Sequence, residues 1–165
     1  MSVTETLKTC WIPASQARPT DDATWFLALD GSGWRGYSDG PVADPRWEAL
    51  VPLLALPGAN AEAHASHHYV VETDVPPDAE SDFNAWYDQE HMPGLARVAG
   101  TVRAMRFRRA RGHPVYMACY DLVSPDVLGC EAWLAVRGTP WSSRVRPQFF
   151  NTRRTMHRLD QTPTP

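Results

Sequence analysis

The side chains most able to do chemistry lie between residues 83 and 91. Phe83, Tyr87 and His91 are spaced four residues apart, so they share one face of a helix if the helix continues that far. An imidazole has an unperturbed pKa of about 6.5 and can both accept and donate a proton near neutral pH. Beside an aromatic-lined cavity, His91 could move protons in an enolisation, an isomerisation or a dehydration. The alternative is that His91 only hydrogen-bonds a carbonyl group that Pro93 leaves free at the helix end.

The aromatic neighbours of His91 are candidates for contact with a substrate. Tyr87 could donate a hydrogen bond to a substrate oxygen, while Trp86 and Phe83 could supply apolar walls. Packing of these rings in the protein core is the alternative, and it is favoured for Trp86.

A second polar set lies on the last predicted strand, where alternate residues share a face. Asn151 and Arg153 are expected on the same face as Phe149 and His157. An arginine and an amide beside an aromatic ring could hold a substrate carboxylate or carbonyl group. A salt-bridged edge strand explains the same residues equally well.

The histidines at positions 64, 67 and 68 raise the possibility of a metal site. His64 and His68 could share a face of one continuous strand, but no carboxylate or cysteine at a suitable spacing completes a ligand set. The three cysteines show no C-x-x-C spacing. A lone His91 is compatible with heme, although nothing else in the sequence supports it. We therefore expect neither a metal nor a cofactor.

Composition narrows the class of protein. A chain of 165 residues fits one domain, and its net charge of −3 argues against binding nucleic acid, which needs a positive surface. No stretch approaches 18 apolar residues, and the N-terminus has no basic region followed by an apolar run. These features predict a cytoplasmic protein that does not bind a membrane.

The N-terminal part predicts a weak strand–helix–strand segment. Thr24–Leu29 has the composition of a short strand. Asp44 followed by Pro45 is typical of a helix start, and Pro57 with the glycine after it would end that helix. A weak strand is expected over residues 59–66. Residues 1–66 are therefore interpreted as an N-terminal extension, with the form of a degenerate βαβ unit, that packs on the same domain.

The rest of the chain predicts two clearer strand–helix–strand segments. Alternating apolar residues indicate the strands, while Asp78, Ser124 and Gly138 mark helix ends. The predicted elements are a strand at 69–73, a helix from 78 to about 90, a short helical turn to 98, and strands at 102–109, 115–123 and 149–158, with a helix from 124 to 138 before the last strand.

Together these elements give the order βαββαβ over residues 67–160, which is a ferredoxin-like α+β fold. Both helices cover one face of the sheet, and the other face is apolar and must be buried. Two such sheets packed face to face as a homodimer would bury it, in the manner of a dimeric α+β barrel; residues 1–66 could cover the same face instead. Residues 161–165 are expected to form a flexible tail.

The helix motif resembles that of EthD-like dimeric α+β-barrel proteins, in which an aromatic pair is followed after three residues by His-x-Pro. Here the motif is Phe83-x-x-Trp86-Tyr87-x-x-x-His91-x-Pro93, followed by Leu95-x-x-Val98-x-Gly100. The closer likeness is to the HapK-type (REDY-like) proteins of prodigiosin-type pathways, and it includes the ending Arg144-Val145-Arg146-Pro147, Asn151 and Arg153-Arg154-Thr155. It covers about residues 67–160 and departs at Gly94, where leucine is usual, and at Ala99, where proline is usual.

The resemblance implies a small-molecule pocket bounded by the sheet and the helices. Related barrels include isomerases, dehydratases, cyclases and cofactor-free oxygenases that act on aromatic, polyketide or lactone substrates. One hypothesis is therefore a cofactor-independent isomerase or lyase of secondary metabolism, with His91 as acid/base and Tyr87 as an orienting hydrogen bond. The other is a non-catalytic protein that binds a small molecule or assists a biosynthetic or catabolic pathway.

Overall fold

A computed structural model describes residues 6–160, and eight strands in that range form one closed antiparallel barrel. Around the barrel the strands follow the order β1-β3-β2-β8-β5-β7-β6-β4. The strands are β1 (Lys8–Pro13), β2 (Thr24–Ala28), β3 (Gly33–Ser38), β4 (Glu48–Pro57), β5 (His67–Asp74), β6 (Thr101–Arg109), β7 (Tyr116–Leu122) and β8 (Phe150–Leu159).

Short helices pack on the outside of the C-terminal half of the barrel. They are α1 (Glu80–Trp86), a π-helical turn (Tyr87–His91), α2 (Met92–Ala96), α3 (Glu131–Arg137) and α4 (Pro140–Val145), with 3-10 turns at Pro125–Gly129 and Arg146–Gln148. Of the helices in residues 6–160, none has the length and apolar character needed to cross a membrane.

The C-terminal half has the predicted ferredoxin-like fold. Strands β8-β5-β7-β6 lie side by side in that order, and the helices cover one of their faces. Ser124 caps the turn after β7 as its sequence position predicts, because its Oγ accepts a hydrogen bond from the Asp126 amide at 3.2 Å. Gly94 allows α2 to approach α3 closely, since a Cβ there would lie 2.9 Å from Cγ1 of Val136. That contact accounts for a glycine where the resembling proteins carry leucine.

The N-terminal strands close the barrel within the same chain. β4 pairs with β6, β2 pairs with β8, and β1 and β3 lie between them. The chain's own N-terminal strands therefore cover the sheet face opposite the helices. Exposure of that face was the reason to expect a homodimer.

The helix predicted after Asp44 is instead strand β4. A helix there would hold Pro52 in its interior, where the missing N–H and the ring clash cost about 3 kcal/mol. In the structure Pro52 lies beside the shift in the register between β4 and β6, where a bulge tolerates it. Residues 59–66 form turns rather than the weak predicted strand, so residues 6–66 contain strands without the helix of a βαβ unit. The tail prediction for residues 161–165 lies outside the described residues.

Side chains alternate between the two faces of a strand, so the residues of one strand lie in two different environments. On β5 and β7, Tyr69 and Tyr120 face the helices, where the larger apolar core lies. Val70 and Cys119 face the inside of the barrel and join a smaller core. Neighbouring residues of one strand therefore serve two separate sites.

Candidate functional site

A π-helical turn positions His91. Pro93 has no N–H to donate and would clash with a carbonyl group in a regular α-helix. Instead, the helix takes up one extra residue in this turn. The Met92 amide donates to the carbonyl of Tyr87, five residues back. The helix therefore continues past the break predicted near His91, and such π-turns are frequent at functional sites.

The turn brings His91 onto the face of Trp86. Their ring centroids are 4.1 Å apart with an interplanar angle of 22°, a stacked arrangement. The ring of Tyr87 lies perpendicular to His91, with centroids 5.4 Å apart. Trp86, Tyr87 and His91, three of the candidate residues named from the sequence, are thus in direct contact.

His91 is buried and neutral. Only 7% of the residue is exposed. Burial, together with the nearby guanidinium groups of Arg146 and Arg137, lowers the pKa of His91 to about 3. Burial also raises the pKa of Tyr87 to about 12, so its hydroxyl keeps its proton at neutral pH.

A small cavity lies between the helices and the outer face of the barrel, beside His91. Its volume is about 30 Å³, enough for a single water molecule. The lining residues are Tyr69, Val71, Trp86, Tyr87, His91, Tyr120, Trp133, Arg137, Arg146, Phe149 and Arg154. A ligand larger than water must therefore displace one of these side chains.

Three cavity residues carry buried polar atoms that have no hydrogen-bond partner in the described part of the chain. These atoms are Nε1 of Trp86, Nδ1 of His91 and the hydroxyl oxygen of Tyr120. An unpaired buried polar group costs about 1–3 kcal/mol, and such groups are rare in folded proteins. Their concentration around one cavity indicates that a polar ligand or water completes the site.

The same cavity has an excess of positive charge. Arg137, Arg146 and Arg154 line it, and no carboxylate among residues 6–160 forms an ion pair with any of them. Burial and the charges of Arg137 and Arg154 lower the pKa of Arg146. Guanidinium groups gathered without a counter-ion are suited to an anionic ligand.

Phe83 lies beneath this cavity rather than in its lining. It is fully buried, and its ring contacts Tyr87, Tyr116 and Phe149. The guanidinium of Arg106 lies 4.9 Å from its centroid and bonds Asn84 and Asp88. Phe83 thus supports the site through packing.

Asn151 and Arg153 are not part of the His91 site. Asn151 has a φ of 49°, and the pairing of β5 with β8 shifts register beside it. This bulge reverses the alternation expected from the sequence, so Phe149 faces the helices while Arg153 faces the barrel interior. The Nδ2 of Asn151 donates to Asp74 at 3.0 Å. Arg154, the next residue, takes the place beside the cavity that Arg153 was expected to have.

Arg153 belongs to a buried charge cluster inside the barrel. Glu72 lies at its centre, 1% exposed, and pairs with Arg35, Arg109 and Arg153. Burial would raise the pKa of Glu72, but the three guanidinium groups outweigh it and lower that pKa to about 2. Sequence reasoning missed this cluster because its members lie on four different strands, β3, β5, β6 and β8, which meet only in the folded barrel.

Histidines near position 68 do not gather into a metal site. His64 lies in the turns before β5, away from the strand that holds His68. Within residues 6–160, no group of three His, Cys, Asp or Glu side chains is arranged to hold a metal ion. His68 instead bonds Tyr37 and Asp121, two residues that the sequence did not suggest as its partners.

Comparison with known proteins identifies the fold. No family model and no curated protein matches the sequence. The structure is similar to that of a major regulator of staphylococcal pathogenesis, with a TM-score of 0.64 and 12% identity over 94% of this chain and 99% of that chain. A heme-degrading enzyme from Listeria monocytogenes matches with a TM-score of 0.61 and 7% identity over 93% and 99% of the two chains.

An anthrone oxidase-like protein gives a third match, with a TM-score of 0.59 and 14% identity over 97% of this chain and 93% of that chain. All three alignments include more than nine-tenths of this chain, so they extend over its N-terminal strands. At these identities the shared property is the fold, a ferredoxin-like α+β barrel.

Proposed function

We propose that the protein binds a small aromatic molecule bearing an anionic oxygen group in the cavity beside His91. The observation that carries the proposal is a set of three arginines, Arg137, Arg146 and Arg154, that have no carboxylate partner within residues 6–160, at a cavity with three polar atoms left unpaired by the same residues. Because the cavity has room for about one water molecule, a lining side chain such as the exposed Arg154 must move aside when the ligand enters. The rings of Trp86 and Phe149 would then hold the aromatic body, and the arginines would hold the anion.

The proposed chemistry is proton transfer by His91. A neutral imidazole is the form that accepts a proton, and Nδ1 of His91 has no partner of its own. An anion among the arginines would offset the charges that depress the His91 pKa, so ligand binding itself would raise the basicity of His91. An isomerase, dehydratase or cyclase acting on an aromatic, polyketide or lactone-like intermediate uses such a base, with Tyr87 orienting the substrate.

The alternative is a non-catalytic protein that holds the same ligand for another enzyme. The small cavity favours this alternative, because little space remains for a substrate to change shape during a reaction. The fold neighbours described as a heme-degrading enzyme and an anthrone oxidase-like protein support a role with small molecules in either case. The EthD-like and HapK-type resemblance agrees with both hypotheses.

Other sequence expectations remain predictions. The homodimer is no longer required to bury the sheet, because β1 to β4 already cover it. The absence of a cofactor and a cytoplasmic location also stay predictions.

Isothermal titration with 2-naphthoate tests the binding proposal. We expect the wild-type protein to bind this aromatic carboxylate, and Arg146→Gln to weaken binding at least tenfold, because a charge-assisted hydrogen bond contributes about 1.5–3 kcal/mol. Arg158→Gln is the matched control, since Arg158 is exposed on the same strand as Arg154 but outside the cavity. Absence of binding by the wild-type protein, or equal weakening by both variants, would argue against the site.

Substitution of His91 separates the catalytic proposal from the accessory one. On a substrate turned over by the wild-type protein, His91→Gln should lower kcat by about 10²–10⁴-fold, because glutamine keeps the shape but accepts no proton. The folded state and 2-naphthoate affinity should change little. A stable variant with full turnover would remove His91 from the mechanism. Ligand binding by the wild-type protein without turnover of any compound tried would support the accessory function.

A further inference from the structure

Tyr37, His68 and Asp121 form a hydrogen-bonded chain inside the barrel, on the sheet face opposite the His91 cavity. Oδ1 of Asp121 lies 2.7 Å from Nδ1 of His68, and the Tyr37 hydroxyl lies 2.8 Å from Nε2 of the same ring. A carboxylate only accepts hydrogen bonds, so Nδ1 of His68 carries the ring proton. In the neutral ring Nε2 is then an acceptor, and the Tyr37 hydroxyl donates to it.

The surrounding residues fix this chain in place. His68 and Asp121 are paired residues of neighbouring strands β5 and β7. The ring of Phe26 stacks on His68 with centroids 4.7 Å apart, and Arg103 binds Oδ2 of Asp121 at 2.9 Å. Burial would raise the pKa of Asp121, but its bonds to His68 and Arg103 lower it, so the carboxyl is ionised at neutral pH. Asp121 therefore holds the imidazole in one tautomer and one orientation.

Toward every group other than His68, the Tyr37 oxygen acts only as a hydrogen-bond acceptor. Its hydroxyl proton is committed to His68, so the thiol of Cys119, whose Sγ is 3.6 Å away, can only donate to it. Burial raises the pKa of Cys119 to about 12 and also raises the pKa of Tyr37 well above its usual value. Both groups are therefore protonated at neutral pH, and Tyr37 can pass one proton on as it takes another.

A cavity of about 240 Å³ opens beside this chain. Leu7, Phe26, Met105 and Phe107 make its walls largely apolar, while Tyr37, His68 and Asp121 lie together as its polar part. The volume is just below the usual range for small-molecule sites and suits a compound of one or two rings. Arg103 also lines the cavity, and its side chain is 56% exposed.

We propose that this cavity is a second site, where Tyr37, His68 and Asp121 abstract a proton from the α carbon of an apolar carbonyl compound. The α C–H bond breaks and its proton moves to the Tyr37 oxygen, while the hydroxyl proton of Tyr37 moves to Nε2 of His68. The electron pair of the C–H bond goes to the carbonyl oxygen and forms an enolate, which Arg103 can stabilise. Asp121 stabilises the resulting imidazolium, and reversal of the steps returns a proton to carbon.

Deuterium exchange of 2-tetralone in D₂O, followed by the loss of its α-proton signals in ¹H NMR spectra, tests this site. We expect the wild-type protein to accelerate exchange over buffer. Tyr37→Phe and His68→Gln should each reduce that acceleration at least 100-fold, because either change interrupts the path of the proton. Arg158→Gln, on the exposed side of β8, should exchange at the wild-type rate.

The outcomes separate this site from the His91 cavity. Far-UV circular dichroism establishes that each variant is folded, and Tyr37→Phe keeps the ring that packs against Phe26. Exchange that is lost in His91→Gln but kept in His68→Gln would assign the chemistry to the other cavity and overturn the proposal. No acceleration by the wild-type protein, or full acceleration by folded Tyr37→Phe, would overturn it as well.

Discussion

Replacing Glu72 with glutamine should lower the free energy of unfolding by about 3–5 kcal/mol, because among the described residues it leaves the buried guanidinium of Arg35 without a counter-ion and leaves Arg109 with only the half-exposed Glu48. Arg35 and Arg109 have side chains that are 1% and 6% exposed, and both pair with Glu72. Arg153 pairs with it from the more exposed side, at 2.7 Å. Glutamine keeps the size of the side chain and removes only the charge, so the loss reports on electrostatics rather than on packing.

Urea denaturation followed by circular dichroism measures this loss. Asp82→Asn is the matched control, since Asp82 pairs with Arg144 at the surface, where both side chains are about half exposed. Exposed pairs contribute at most about 1 kcal/mol, so the control should change little. If Glu72→Gln loses no more stability than Asp82→Asn, the buried cluster does not hold the barrel together.

Lowering the pH from 6.5 to 5 should destabilise the protein by about 3 kcal/mol. Burial lowers the pKa of His91 and of His157 to about 3, whereas an unfolded histidine titrates near 6.5. Between these values the unfolded chain binds more protons than the folded one, so stability is greatest above pH 6.5 and falls as the pH falls. A full pH unit is worth about 1.4 kcal/mol per group, but an unfolded histidine is already half protonated at pH 6.5, so each histidine contributes about 1.7 kcal/mol over this range.

Urea denaturation at pH 6.5 and pH 5 measures the effect. His91→Gln and His157→Gln should each remove about half of the difference between the two pH values. His64→Gln is the control, because His64 is exposed, and it should leave the difference unchanged. Equal stability at both pH values, or an unchanged difference in both buried variants, would contradict the placement of these histidines.

The C-terminal half of the fold was predictable because its signals are local. Alternation in β6 and the cap at Ser124 each depend on a few neighbouring residues. The N-terminal strands could not be predicted in this way, because they form by pairing with strands that are distant in the chain. β1 and β3 pair with each other, and β4 pairs with β6 about 50 residues later in the chain. Asp44 followed by Pro45 favoured a helix, and only Pro52 and the pairing with the partner strand show that the segment is a strand.

The candidate site was predictable where it lies on a single helix. The spacing of Tyr87 and His91 indicated that their rings share one helix face. Trp86 precedes Tyr87 in the chain, and its ring contacts both of the other rings. The π-turn that stacks His91 on Trp86 depends on how the helix accommodates Pro93. No local signal in the sequence predicts the bulge at Asn151, which places Arg154 rather than Arg153 beside the cavity. The three arginines come together from separate elements, and no local signal predicts that either.

The measurement that tests the central claim most directly is a titration of ¹⁵N-histidine-labelled protein with 2-naphthoate, followed by NMR of the ring nitrogens. If the cavity binds an aromatic anion, the His91 signals should shift on binding, with Nδ1 moving toward the values of a hydrogen-bonded nitrogen, while the exposed His64 stays unchanged. The shift should require much more 2-naphthoate in Arg146→Gln. If saturating 2-naphthoate leaves His91 unchanged in the wild-type protein, the cavity is not the binding site.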